Sequence, residues 1–139
     1  MNIVRLKGST FTYREERDRD LIRAYREQLS KQKGKIKLTD VLVATVNSPS
    51  ARFWVSVERA KQMVLRIRSG RTPNKILPEQ REKYGEIAKR VELLLAEYPQ
   101  MDLEMAVIKV VEGGAPKFYI TPESAKVIIH NIRKRWRKK

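Results

Sequence analysis

Residues 51–68 read ARFWVSVERAKQMVLRIR, two aromatics set ahead of cations at helical spacing. Aromatic faces stack on bases and lysine or arginine grips phosphate, so Phe53 and Trp54 with Arg59, Lys61, Arg66 and Arg68 have the chemistry of nucleic-acid binding. The same residues would also suit a helix that enters a core and keeps its charges in water. A second stretch, REERDRD at residues 14–20, gathers Glu15, Glu16, Asp18 and Asp20 as a two-metal nuclease site would require. Their neighbours are arginines, no second acidic cluster matches them and no general base stands by. The stretch reads as a solvated helical face with i, i+4 ion pairs. There is no cysteine and His130 is the single histidine, which leaves no thiolate nucleophile, no cysteine zinc site and no histidine metal cluster. The expectation is a non-enzymatic protein that uses neither metal nor cofactor.

Charge points to the partner. The chain carries 31 Lys and Arg against 16 Asp and Glu, a net charge of +15. A small soluble domain needs only about 2–8 net charges. Such an excess repels itself in the folded state until a polyanion neutralises it, so nucleic acid is the expected partner, DNA favoured over RNA. Two other readings stay open. One is a component of a structured RNA or nucleoprotein complex, accessory to a nucleic-acid enzyme; the other is a phage structural or interaction protein whose positive surface meets an acidic protein. No apolar run approaches the ~20 residues that span a bilayer, and the opening MNIVRLKGSTF lacks the apolar centre of a signal peptide. A cytoplasmic protein without membrane contact is expected.

The elements that must position these residues come from an internal repeat. At an offset of 65, SARFWVSVERAKQMVLRIR lies over APKFYITPESAKVIIHNIR without a gap. Phe53/Phe118, Glu58/Glu123, Ala60/Ala125, Lys61/Lys126, Ile67/Ile132 and Arg68/Arg133 are identical pairs. Upstream, Leu38, Val41, Leu42, Thr45 and Val46 fall on Leu103, Ala106, Val107, Val110 and Val111, both following the stripe of an amphipathic helix. Thr39 and Asp102 are the expected N-caps. Asn47-Ser48-Pro49 and Gly113-Gly114-Ala115-Pro116 are the expected stops, with a left-handed cap at Asn or Gly. One further helix precedes each: the first starts after Thr12, in a capping box with Glu15, and buries Leu21, Tyr25 and Leu29. Its counterpart starts near Pro78 and buries Tyr84, Ile87, Val91, Leu94 and Tyr98. The expected fold is all-α: one domain over 1–139, trihelical repeats at 12–69 and 78–136, a linker at 70–77 and a basic run at 133–139. The halves would pack about an approximate two-fold axis, their extended segments pairing as a short antiparallel ribbon.

Within each repeat, Ser56 and Thr121 are placed to cap the third helix. Strand-like alternation sends Phe53, Val55, Phe118 and Ile120 inward, and Arg52, Trp54, Lys117 and Tyr119 outward. Trp54 and Tyr119 are therefore the candidates for base stacking. Ala60, Met63, Val64 and Ile67, matched by Ala125, Ile128, Ile129 and Ile132, form the buried faces. The polar faces keep Arg59, Lys61, Gln62, Arg66 and Arg68 in the first repeat, and Lys126, His130, Asn131, Arg133, Lys134 and Arg137 in the second. These residues, with Arg52, Lys117 and Arg135, are the candidate contacts; Gln62 and Asn131 are of the types that read base edges. In RKRWRKK, residues 133–139, Trp136 is the last inward residue and Lys134, Arg135, Arg137, Lys138 and Lys139 point out. A second basic cluster, KQKGKIK at 31–37, occupies a loop.

A basic helix closing a trihelical unit resembles the helix-turn-helix module, whose last helix enters the major groove. The tandem arrangement is also similar to Myb-type DNA-binding repeats. Here the stretch from Ser48 to Val55 replaces the usual 3–4-residue turn, and Trp54 and Trp136 occupy non-equivalent places, so no residue role is carried over from that family. The aromatic-basic-helix phrase is similar to small uncharacterised basic proteins of gut bacteria and their phages; this covers most of the chain and implies no activity.

Overall fold

In a computed structural model the backbone is described for residues 2–71 and 75–137, and side chains from residue 13 onward. Among these residues there are six helices and no strand: α1 (Asn2–Lys31), α2 (Leu38–Val46), α3 (Val57–Arg68), α4 (Pro78–Glu97), α5 (Leu103–Glu112) and α6 (Pro122–Arg137). The all-α expectation holds.

The helices assemble into two compact units that do not follow the order of the sequence repeats. Pro49–Ile120 forms one unit, in which α3, α4 and α5 pack on one another; the other is built from the chain on either side, α6 packing on α1 and α2. Consecutive trihelical units at 12–69 and 78–136 were expected. Instead the third helix of each sequence repeat is grouped with the first two of the other. Helix periodicity defines which face is apolar but not which apolar face covers it, and the eight-residue stretch from Ser48 to Val55 lets α3 leave α2.

In the Pro49–Ile120 unit, Phe53, Met63, Ile87, Val91, Val107 and Val111 are fully buried, surrounded by Val55, Ala60, Val64, Tyr84, Ala106 and Val110. In the α1–α2–α6 unit the buried apolar residues include Leu21, Ile22, Tyr25, Val41, Leu42, Val46, Ala125, Ile129 and Ile132. Most of the expected inward stripe is buried on the four shorter helices, but Leu38 is exposed and Ile67, Leu103 and Ile128 are half-buried; on and after the two longer helices Leu29 and Leu94 are half-buried and Tyr98 is exposed.

Ends are decided locally. Ser56 Oγ accepts from Arg59 N at 3.1 Å and Thr121 Oγ1 accepts from Ser124 N at 3.1 Å, while Asp102 Oδ1 accepts from Met105 N at 2.8 Å. These three caps follow the sequence reading. Three other expectations do not hold. Helix α1 runs through Thr12 to Asn2, where no proline interrupts the chain and Gly8 costs only about 1 kcal/mol against alanine; the Thr12 side chain lies outside the described residues. Lys37, not Thr39, precedes α2, with no side-chain cap. Neither Asn47 (φ −92°) nor Gly113 (φ −84°) is left-handed. At the end of α2, Val43 O accepts both the backbone amide of Asn47 at 3.2 Å and its Nδ2 at 3.0 Å, and Ser48 Oγ donates to Ala44 O at 2.7 Å.

The expected ribbon reduces to one antiparallel pair. Ser50 and Ala115 exchange backbone hydrogen bonds at 3.0 and 3.1 Å, and Phe53 N donates to Val111 O at 3.0 Å. The single Ser50 Oγ proton is shared between the carbonyls of Arg52 and Lys117, at 2.8 and 3.3 Å.

Candidate nucleic-acid interface

The candidate cations on and before α3 are largely committed within their own unit. Arg52 lies over the Trp54 ring, 5.3 Å from its centroid, and its guanidinium donates to the carbonyls of Phe53 and Val55 at 3.2 Å each. Lys61 Nζ lies 3.6 Å from Glu104 Oε1, and Arg68 Nε 3.0 Å from Glu92 Oε2. Lys117 is paired with Glu82 and sits 5.6 Å from the centroid of Tyr119. The ion pairs are exposed enough to add little stability, but they neutralise the charge that a phosphate would need.

The aromatic candidates divide. Tyr119 is 4% exposed and stacks on Phe53 with centroids 5.9 Å apart and an interplanar angle of 16°, so it is a core residue and not a stacking surface. Strand alternation misplaces it because its backbone is left-handed (φ 61°), which swings the ring inward at a cost of about 1 kcal/mol. Burial and the nearby Glu86 and Glu82 push its phenol up to about 12, against an opposing effect of Arg90. Trp54 is half-buried, and the Arg52 guanidinium lies over its ring.

The second helix of cations is different. On α6, Lys126, His130, Arg133, Lys134 and Arg137 are all exposed and follow i, i+4, i+7, i+8, i+11. They line one side of the helix over about 16 Å. The buried stripe of Ala125, Ile129 and Ile132, continued by half-buried Trp136, lies one residue earlier and therefore about 100° round the helix. Arg133 lies over Tyr25, 5.3 Å from the ring centroid, which holds it against α1 while leaving the side chain exposed. Asn131 is exposed on a different side of α6, and on α3 Arg59, Gln62 and Arg66 are exposed. Lys31 at the end of α1 and Lys33, Lys35 and Lys37 before α2 are exposed too, around Gly34, whose φ of 79° makes the turn. Lys138 and Lys139 lie outside the described residues.

Arg135 does not belong to this surface. Its guanidinium pairs with Asp18, which is 1% exposed, and reaches Glu15 at 3.5 Å. The acidic stretch is correspondingly not a solvated face: Glu15, Asp18 and Asp20 are all buried, with Arg17 3.1 Å from Asp18 and Arg23 2.6 Å from Asp20. Helical periodicity alone could have put Asp18 in line with Leu21, Ile22 and Tyr25, but a carboxylate there reads as an outward residue until its arginine, 117 positions away, is known.

The net charge is unevenly divided between the two units. Residues 1–48 and 121–139 hold 18 Lys and Arg against 7 Asp and Glu, a net +11, whereas Pro49–Ile120 holds 13 against 9, a net +4. The basic excess therefore follows the compact units, not the repeats.

Lys83, which drew no attention in the sequence, is 7% exposed on α4 and lies 5.2 Å from the Tyr84 ring centroid. Burial, with a smaller contribution from Arg59, lowers its ammonium to about 8. Among the described residues no group of three or more Asp, Glu, His or Cys is placed to hold a metal ion, and no helix is long and apolar enough to cross a membrane. Comparison of the chain with protein-family models, with curated proteins and with solved structures gives no match.

Proposed function

We propose that this chain is a non-enzymatic nucleic-acid-binding protein, with DNA favoured over RNA, that grips the phosphate backbone through the exposed stripe of α6. The observation that carries this reading is the exposed alignment of Lys126, His130, Arg133, Lys134 and Arg137, none of them ion-paired to a carboxylate among the described residues, on the unit that holds +11 of the charge. Long-range attraction to a polyanion scales with local net charge, and a row of basic side chains along one helix suits the repeating charge of a nucleic-acid strand. RNA recognition through stacked aromatics draws less support, since Tyr119 is internal and Arg52 covers a face of Trp54.

The chain also reads as an internal duplication with an approximate two-fold relation between positions 65 apart. That reading rests on the bridge between Ser50 and Ala115, which are themselves 65 apart, and on the matching caps at Ser56 and Thr121.

Binding of labelled duplex DNA followed by anisotropy across a salt series tests the function. With about six phosphates neutralised, the slope of log affinity against log salt is near −5. The double substitution Lys134→Gln with Arg137→Gln lowers the slope by about 2 and weakens all sequences alike. An affinity that ignores salt, or a double variant that binds as the parent does, would overturn the proposal. A hairpin RNA as competitor, and sequencing of nucleic acid copurified at low salt, decide between DNA and RNA.

A further inference from the structure

Three basic residues of the Pro49–Ile120 unit pair with glutamates on α4 or α5: Lys61 with Glu104, Arg68 with Glu92, Lys117 with Glu82. Lys83 and Arg59 stand apart from this pattern. Lys83 on α4 and Arg59 on α3 converge on the same aromatic ring, that of Tyr84, at 5.2 and 6.0 Å from its centroid, and among the described residues neither has a carboxylate within ion-pair distance. Lys83 is 7% exposed, so its ammonium is partly desolvated. A desolvated cation with a second cation nearby is costly unless an anion joins them; the face of an aromatic ring offsets only part of that cost.

We propose that Lys83 and Arg59 form a clamp for a phosphate group beside the Tyr84 ring. The buried ammonium supplies a fixed point charge and the exposed guanidinium a planar fork, the two complementary donors for phosphate oxygens. Arg66, exposed two turns further along the same edge of α3, offers a place for the next phosphate of a chain. The clamp rests on the nucleic-acid reading for its natural ligand, a backbone phosphodiester, but its chemistry would also accept a free phosphate.

The full chain is titrated with inorganic phosphate at constant ionic strength while the side-chain methylene signals next to the Lys83 amine are followed by NMR. Saturable movement of those signals, together with an upward shift of the Lys83 titration toward ordinary lysine, is expected with phosphate and absent with chloride. Arg59→Gln, at an exposed position where the fold is not at stake, weakens phosphate binding about tenfold. No saturable movement, or an unchanged response in R59Q, overturns the clamp.

Duplex binding separates this from the wider reading. If DNA binds through α6 with equal affinity to the parent, Lys83→Met and R59Q, and Lys83 does not respond, the clamp fails while the nucleic-acid function stands. If no polynucleotide binds yet phosphate moves Lys83 and R59Q blunts the effect, the clamp stands with a free phosphate as its ligand.

Discussion

Ser50 and Ala115 face each other as an antiparallel pair, each donating its amide to the other's carbonyl at 3.0 and 3.1 Å. The Ser50 hydroxyl then bonds the carbonyls of Arg52 and Lys117, the residues two positions beyond on each chain. A single serine thus ties the two segments that lead into α3 and α6. Ser50 is 5% exposed, so water cannot replace that hydroxyl. Ser50→Ala is expected to lose about 1 kcal/mol in urea unfolding. Ser30→Ala, whose hydroxyl bonds Glu27 O on an exposed turn, should stay within about 0.5 kcal/mol of the parent. Equal effects at the two serines would remove the special role given to Ser50.

Arg135 and Arg137, two residues apart in the same basic run, should behave in opposite ways. Removing the Arg135 guanidinium leaves the Asp18 carboxylate buried with Arg17 as its remaining close partner. Arg135→Met is therefore expected to cost about 2–3 kcal/mol, below the full loss for an isolated buried pair because Arg17 persists. Arg137→Gln should leave stability within about 0.5 kcal/mol while lowering affinity for duplex DNA. Chemical denaturation and binding measured on the same samples distinguish the two; a stable R135M protein with weakened DNA binding would return Arg135 to the surface set.

Stability should rise and then fall between pH 7 and 12. In the folded chain burial, then repulsion from Arg59, lowers Lys83 from 10.5 to about 8, so its charged form is disfavoured and the unfolded chain holds the extra proton between those values. Raising pH across that interval therefore adds stability. Tyr119 has the opposite sign: burial first, then Glu86 and Glu82, raise it from 10.0 to about 12, so its contribution is complete below pH 10 and is lost on the way to 12. Thermal melts should show a maximum near pH 10. Lys83→Met should flatten the rising limb and Tyr119→Phe the falling one; a wild-type profile that declines steadily from pH 8 would contradict the account of Lys83.

Much of this was legible along the chain. The stripes Ala60-Met63-Val64 and Ala125-Ile129-Ile132 are buried as their spacing requires, because an amphipathic helix has only one face to hide. Ser56, Thr121 and Asp102 cap their helices through contacts spanning three residues, which sequence neighbours decide. The exposure of Lys126, His130, Arg133, Lys134 and Arg137 follows from the same periodicity.

Other features depend on contacts that no local rule contains. Tyr119 turns inward because its backbone adopts a left-handed conformation that sequence alternation does not anticipate. Lys61, Arg68 and Lys117 looked as available as Lys126 and Arg133, and are distinguished only by glutamates brought from α4 and α5. Asp18 and Arg135, far apart in the chain, are united by the packing of α6 on α1. The sequence by itself determined the helices, their apolar faces and the large positive charge, all consequences of residue type and short-range spacing. Tertiary structure alone decided that α6 joins α1 and α2 while α3 joins α4 and α5, since one apolar stripe can cover several others and the choice rests on side-chain fit. That exchange decides which cations find carboxylates and which remain for a ligand.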